Sequence, residues 1–137
     1  QIESFQPLDS LPNLTEIILF RNHIKEVPDI LHLQKLLKLH LYENKIVKMG
    51  KTPVSLQELY LGNNYLEYVP DIFLSSNLQG FTIYSNKLTY CPDLSGLTSL
   101  QYLSLGTNYL QKAPVNLEKM YSLKVLTLDN NSLTSLP

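Results

Sequence analysis

A single cysteine, Cys91, stands among 137 residues. That excludes an internal disulfide framework and a cysteine-rich metal site. Glycine and proline are few, at 5 and 8, which excludes a collagen-like or linker composition. Neither sign of charge prevails, because 11 Lys and Arg face 12 Asp and Glu for a net charge of −1. A protein that binds nucleic acid by neutralising phosphates needs a clustered basic face, and this balance argues against one. The uncharged stretch from Leu94 up to Lys112 is broken by Thr, Ser, Gln, Gly and Asn. It does not make a membrane-spanning helix, so no direct membrane insertion is expected. The start at Gln1 shows no signal-peptide sequence of basic, apolar and small-residue regions. No GxSxG elbow, phosphate-cradling glycine loop or HExxH helix occurs, so no catalytic residue and no cofactor is expected.

Leucine is what the chain has in excess, with 29 copies, and such an excess asks for a repeat search first. Asparagine marks the period. Asn22, Asn44, Asn64, Asn86, Asn108 and Asn131 are spaced by 22, 20, 22, 22 and 23 residues. Around each, an apolar residue stands eight, five and three positions before it and two and five after it. Leu14, Ile17, Leu19, Asn22, Ile24 and Val27 form the first frame. Leu56, Leu59, Leu61, Asn64, Leu66 and Val69 form the third. Repeats thus start near residues 14, 36, 56, 78, 100 and 123, and the last is incomplete. Ile2, Phe5, Leu8 and Leu11 lie 22 residues before Ile24, Val27, Ile30 and Leu33, so residues 1–13 read as the tail of a preceding repeat. The expectation is one repeat domain over 1–137, cut from a longer solenoid.

Within each frame the segment xLxLx alternates inward and outward, as a strand requires. Parallel pairing of successive strands needs a covered crossover. The residues available to pack under the sheet are Ile30 and Leu33, Ile72 and Leu74, Leu94 and Leu97, and Leu117 and Met120. Val27-Pro28, Val69-Pro70, Cys91-Pro92, Ala113-Pro114 and Leu136-Pro137 share one position. Proline biases the residue before it toward extended backbone. The convex side is therefore expected to be extended or in 3₁₀ turns, with a tighter turn at Met49-Gly50 in the shorter second repeat.

The frame reads LxxLxLxxNxL, and the chain resembles the leucine-rich repeat family over nearly all of its length. The resemblance implies an α/β-type solenoid, with a right-handed, curved parallel sheet on the concave face. It also implies binding of other macromolecules. A buried asparagine carboxamide has two donor hydrogens and an acceptor oxygen. The six framed asparagines are therefore expected to satisfy main-chain groups in their own turn and in the neighbouring repeat, as a structural ladder.

Function in a solenoid sits on positions that the core does not dictate. Six, four and two residues before each ladder asparagine, three columns face the concave side. They read Glu16, Lys38, Glu58, Gly80, Tyr102, Val125; then Ile18, His40, Tyr60, Thr82, Ser104, Thr127; then Phe20, Tyr42, Gly62, Tyr84, Gly106, Asp129. Strands favour aromatics in any case. Aromatics are also favoured interface anchors, and five of these positions are aromatic against 13 Phe and Tyr in the whole chain. The candidate partner-binding residues are Ile18, Phe20, His40, Tyr42, Tyr60, Tyr84 and Tyr102. Gly62 and Gly106 are expected to leave depressions beside Tyr84. Arg21, Glu43, Lys45, Lys87, Tyr65 and Tyr109 lie at the rim.

His23, His32 and His40 fall in different parts of the repeat and do not converge on a metal. Cys91 reads as a small buried hydrophobe. Asn13-Leu14-Thr15 and Asn130-Asn131-Ser132 match N-x-[ST], which makes Asn13 and Asn130 possible glycosylation sites. They permit an extracellular or cell-surface setting, while a lone cysteine is also ordinary inside a cell. The function expected is a non-catalytic module that recognises another protein on the concave face, with no oligomeric state assigned. The alternatives are the substrate-recognition or regulatory arm of a larger enzyme, phosphatase or ligase complex, and a structural spacer within a longer arc.

Overall fold

The computed structural model describes residues 1–5, 8 and 10–136. Three-residue strands recur once per repeat: β1 (Glu16–Ile18), β3 (Lys38–His40), β5 (Glu58–Tyr60), β6 (Gly80–Thr82), β7 (Tyr102–Ser104) and β8 (Val125–Thr127). They pair in parallel in the order β1-β3-β5-β6-β7-β8. The register puts the central residues in one row, so that Ile17, Leu39, Leu59, Phe81, Leu103 and Leu126 are partners. That row forms one wall of the core, and Leu39, Leu59, Phe81 and Leu103 are sealed from solvent. No single repeat could bury this row, so stacking supplies the partner surface. The fold is a solenoid of parallel strands.

Each strand leads into a turn whose last residue before the ladder asparagine is left-handed. Arg21, Glu43, Asn63, Ser85, Thr107 and Asn130 all have φ between 52° and 56°. Such backbone is uncommon for residues other than glycine, and Asn tolerates it best. It persists because the next residue locks the turn. The amide of Asn64 donates to the carbonyls of Leu41 and Leu61 at 3.0 Å. Its oxygen accepts from the Ile46 N–H, also at 3.0 Å. Asn44, Asn86 and Asn108 repeat this arrangement one repeat apart. These three and Asn64 make up a buried polar row that pins each turn to its neighbour. Asn22 and Asn131 are only half-buried. Asn22 accepts from Ile2 N–H, and Asn131 from Leu110 N–H.

Among the described residues no α-helix crosses back to the next strand. The convex side is extended chain and turns, with a 3₁₀ turn at Leu117–Lys119. Ile30, Leu33, Ile72, Leu94, Leu97 and Met120 are buried beneath the sheet. Leu74 departs from the expectation, because it is 52% exposed and Ser75 takes the inward position. The spacing explains this. Inward residues precede the ladder asparagine by fourteen, eleven and eight positions, which gives Leu94, Leu97 and Leu100 before Asn108 but Ile72, Ser75 and Leu78 before Asn86. The Ser75 hydroxyl donates to the Pro53 carbonyl and accepts from Thr52 Oγ1, both at 2.7 Å.

A second, two-stranded parallel sheet pairs β2 (Glu26–Val27) with β4 (Lys48–Met49) on the convex side. It forms where the recurrent proline gives way to Gly50. The Gly50 N–H donates to Val27 O at 2.7 Å. Pro70, Pro92 and Pro114 occupy that place in later repeats and have no N–H to donate. The turn there is close. A Cβ on Gly50 would come within 2.4 Å of the Asp29 nitrogen.

Candidate interaction face

The outward residues of the first strands come together in two stacked pairs. Phe20 and Tyr42 lie with ring centroids 4.7 Å apart and planes 5° apart. His40 and Tyr60 lie 4.3 Å apart at 13°. Parallel register places Ile18, His40 and Tyr60 side by side across β1, β3 and β5. The Phe20 and Tyr42 turns stay in step through the bond from Arg21 N–H to Tyr42 O. Stacked aromatic pairs add attraction beyond their buried area, so these rings form a preformed surface rather than mobile side chains. Ile18 is 48% exposed and Phe20 39%.

Charge is woven through this patch. Glu58 Oε2 lies 2.9 Å from His40 Nε2, while Lys38 Nζ lies 3.5 Å from Glu16. The charged column therefore divides into two pairs, because the stacked imidazole reaches Glu58 first. At the rim the Arg21 Nε donates to Glu43 at 2.9 Å. Burial and the adjacent Glu58 carboxylate, with Tyr102 and against Lys38, raise the pKa of the Tyr60 phenol. It stays a neutral hydrogen-bonding group at any physiological pH.

The depressions expected beside Tyr84 do not exist. Gly62 is buried under the Tyr84 ring, and a Cβ on Gly62 would fall 2.2 Å from it. Gly106 is covered in the same way by the Asp129 carboxylate, 2.5 Å from a Cβ there. Gly62 and Gly106 each leave room that the next repeat's longer side chain leans into. Gly80 differs, since a Cβ there would meet Tyr60 of the preceding strand in ordinary contact at 3.5 Å. Tyr84 is held further by the amide of Asn63, which donates to its hydroxyl at 3.3 Å. Tyr102 pairs in register with Gly80 and is 39% exposed. Thr82 and Ser104 belong to the columns expected to face outward, but both are buried. Their side chains are short, and Thr127 Oγ1 closes over Ser104 with a 2.7 Å bond. The sequence signal for these closures is a glycine beside a large residue in the same or the adjacent column.

The remaining candidates lie apart. Among the described residues no group of three His, Cys, Asp or Glu is placed to hold a metal ion. Cys91 is buried, and its thiol is pushed up to about 12 by burial and by Asp93. A thiol held protonated is a poor nucleophile. Asn13 and Asn130 are exposed. The Asn13 oxygen accepts from Lys35 Nζ at 2.9 Å. Among the described residues no helix is long and apolar enough to cross a membrane.

Known proteins share this architecture. A family model described as leucine rich repeat matches residues 54–110. Lumican of Rattus norvegicus is 38% identical over 114 residues, covering 77% of this chain and 32% of lumican. A solved leucine-rich repeat protein of Leptospira interrogans superposes with a TM-score of 0.81 at 34% identity, over 90% of this chain and 33% of that one. An internalin of Listeria monocytogenes gives a TM-score of 0.72 at 22% identity, over 95% of this chain and 38% of that one, and speaks for the fold alone. The chain spans about a third of the length of these proteins. The recurrent frame, the buried asparagine row and these likenesses lead to one conclusion: the chain is a leucine-rich repeat protein.

Proposed function

We propose that this solenoid recognises another protein through the first half of its concave face, without catalysis. The observation that carries the reading is the pair of stacked ring systems, Phe20–Tyr42 and His40–Tyr60, partly exposed side by side along three adjacent repeats. Large rigid rings lose little conformational freedom on binding and anchor interfaces well. Tyr84 and Tyr102 continue the surface. The Arg21–Glu43 and Glu16–Lys38 pairs supply a charged border that favours a partner of matching pattern. The leucine-rich repeat relatives support binding as the general role.

The test is affinity capture with immobilised protein and its Tyr42→Ser/Tyr60→Ser variant, with captured proteins quantified by mass spectrometry. The reading expects the proteins held by the parent to be lost by the variant while its circular dichroism spectrum is unchanged. Recovery of the same proteins in the same amounts would overturn it.

A further inference from the structure

We propose a second interaction surface, the flank that follows each ladder asparagine, whose ligand is a linear sulfated polysaccharide. It lies outside the concave face and does not rest on the reading above. The first four residues after each asparagine read His-Ile-Lys-Glu, Lys-Ile-Val-Lys, Tyr-Leu-Glu-Tyr, Lys-Leu-Thr-Tyr, Tyr-Leu-Gln-Lys and Ser-Leu-Thr-Ser. The second residues Ile24, Ile46, Leu66, Leu88 and Leu110 are buried, and Leu133 is half-buried. The other three point outward, and nearly all are exposed. The main chain of this flank is stacked in register. Tyr65 N–H donates to Ile46 O, Lys87 N–H to Leu66 O and Tyr109 N–H to Leu88 O, at 2.8 to 2.9 Å. Side chains at equal offsets therefore line up as columns along the solenoid.

Two properties set the flank apart. The first is charge. It carries five lysines and two glutamates, a net of +3, in a chain whose net charge is −1. The rest of the molecule is then −4, so this side holds the positive excess of an otherwise acidic chain. The second is tyrosine. Tyr65, Tyr68, Tyr90 and Tyr109, four of the nine in the chain, stand here with 47%, 77%, 67% and 60% of their surface exposed. The two kinds are interspersed. The first column runs His23, Lys45, Tyr65, Lys87, Tyr109, Ser132, and the last runs Glu26, Lys48, Tyr68, Tyr90, Lys112, Ser135. Lys87 Nζ sits 5.2 Å from the centre of the Tyr65 ring, a cation–π contact that fixes both.

This mixture of lysine and exposed tyrosine suits a polymer of acidic sugars. The exposed face of a tyrosine ring accepts the C–H face of a pyranose, and each lysine meets a sulfate. Lys45 and Lys87 stand two repeats apart, roughly 10 Å at the spacing of neighbouring strands. That separation is comparable to one disaccharide of an extended chain. A regular polymer matches a regular flank, whereas a folded acidic protein would meet it at isolated points.

Calorimetric titration with a heparin octasaccharide tests the proposal, with three controls of similar length: the desulfated octasaccharide, a polyglutamate peptide and an oligothymidylate. Binding of the sulfated sugar is expected, with log K falling against log salt with a slope of about −3 for four lysines on a polyanion. The Lys45→Gln/Lys48→Gln/Lys87→Gln/Lys112→Gln variant should then bind at least about tenfold more weakly. All four residues are exposed, so its spectrum and melting point should match the parent's. Tyr68→Ser/Tyr90→Ser should weaken binding at high salt, where charge is screened, and Tyr42→Ser/Tyr60→Ser on the concave face should leave it unchanged. No binding of the sulfated sugar, equal binding of any control, or an undiminished lysine variant would overturn the proposal.

Discussion

Asn64 shows how much of this fold hangs on single carboxamides. One side chain satisfies the Ile46 N–H and the Leu41 and Leu61 carbonyls, all in the dry interior. Asn64→Leu keeps the bulk and removes every one of those bonds. Its cost should be about 1–3 kcal/mol, the desolvation penalty of buried groups left unpaired. Asn22→Leu should cost distinctly less. Asn22 is half-buried and its partner Ile2 N–H is exposed, so water can replace the lost bond. Urea unfolding of both variants measures the difference, and equal losses would contradict this account of the row. The residue scale also shows where composition misleads. Leu74 is the stronger hydrophobe, but Ser75 is inside, because the position along the repeat decides burial and the serine hydroxyl finds partners there.

At the scale of elements, the strands were legible because their requirement is local. An apolar residue five positions before each asparagine, flanked by outward residues, specifies three residues of strand whatever the neighbours are. The convex segments were less legible, since what they pack against depends on the adjoining repeat. The short repeat is the clearest instance. There Thr52 donates to Ser75, and Ser75 donates to Pro53 O, so two repeats share one buried hydroxyl chain. Ser75→Ala should cost about 1–3 kcal/mol by stranding both partners. Thr52→Val combined with Ser75→Ala should cost less than the two singles together, by roughly 0.5 kcal/mol or more. Additive losses in a double-mutant cycle would mean the hydroxyls act independently. The β2–β4 sheet belongs to this scale too. Its cause, glycine in place of proline, stands in the sequence, but its existence needs Val27 O to lie opposite the Gly50 N–H.

At the scale of the whole molecule, burial is uneven along the row of strand centres. Leu59 is fully buried in β5, whereas Leu126 in β8 is 37% exposed because it packs against a neighbour on one side only. In a stacked repeat array, stability is a sum of nearest-neighbour interfaces. Leu59→Ala should therefore cost about 2–5 kcal/mol and Leu126→Ala less than half of that. Thermal or chemical denaturation of the two variants checks this, and comparable losses would show that the array melts as one unit from any point.

The period, the inward residues of the strand frame and the parallel arrangement followed from the sequence alone, because each slot of the frame states its own environment and six copies agree. The columns of outward residues could be written down from the same frame. Tertiary structure decided which of those residues are available. Tyr84 lies over Gly62, Asp129 over Gly106 and Thr127 over Ser104, and none of these closures is a property of one repeat. The physical reason is that the inward pattern is set by solvent, which acts on every repeat alike. The outward surface is set by how differently sized neighbours lean on one another.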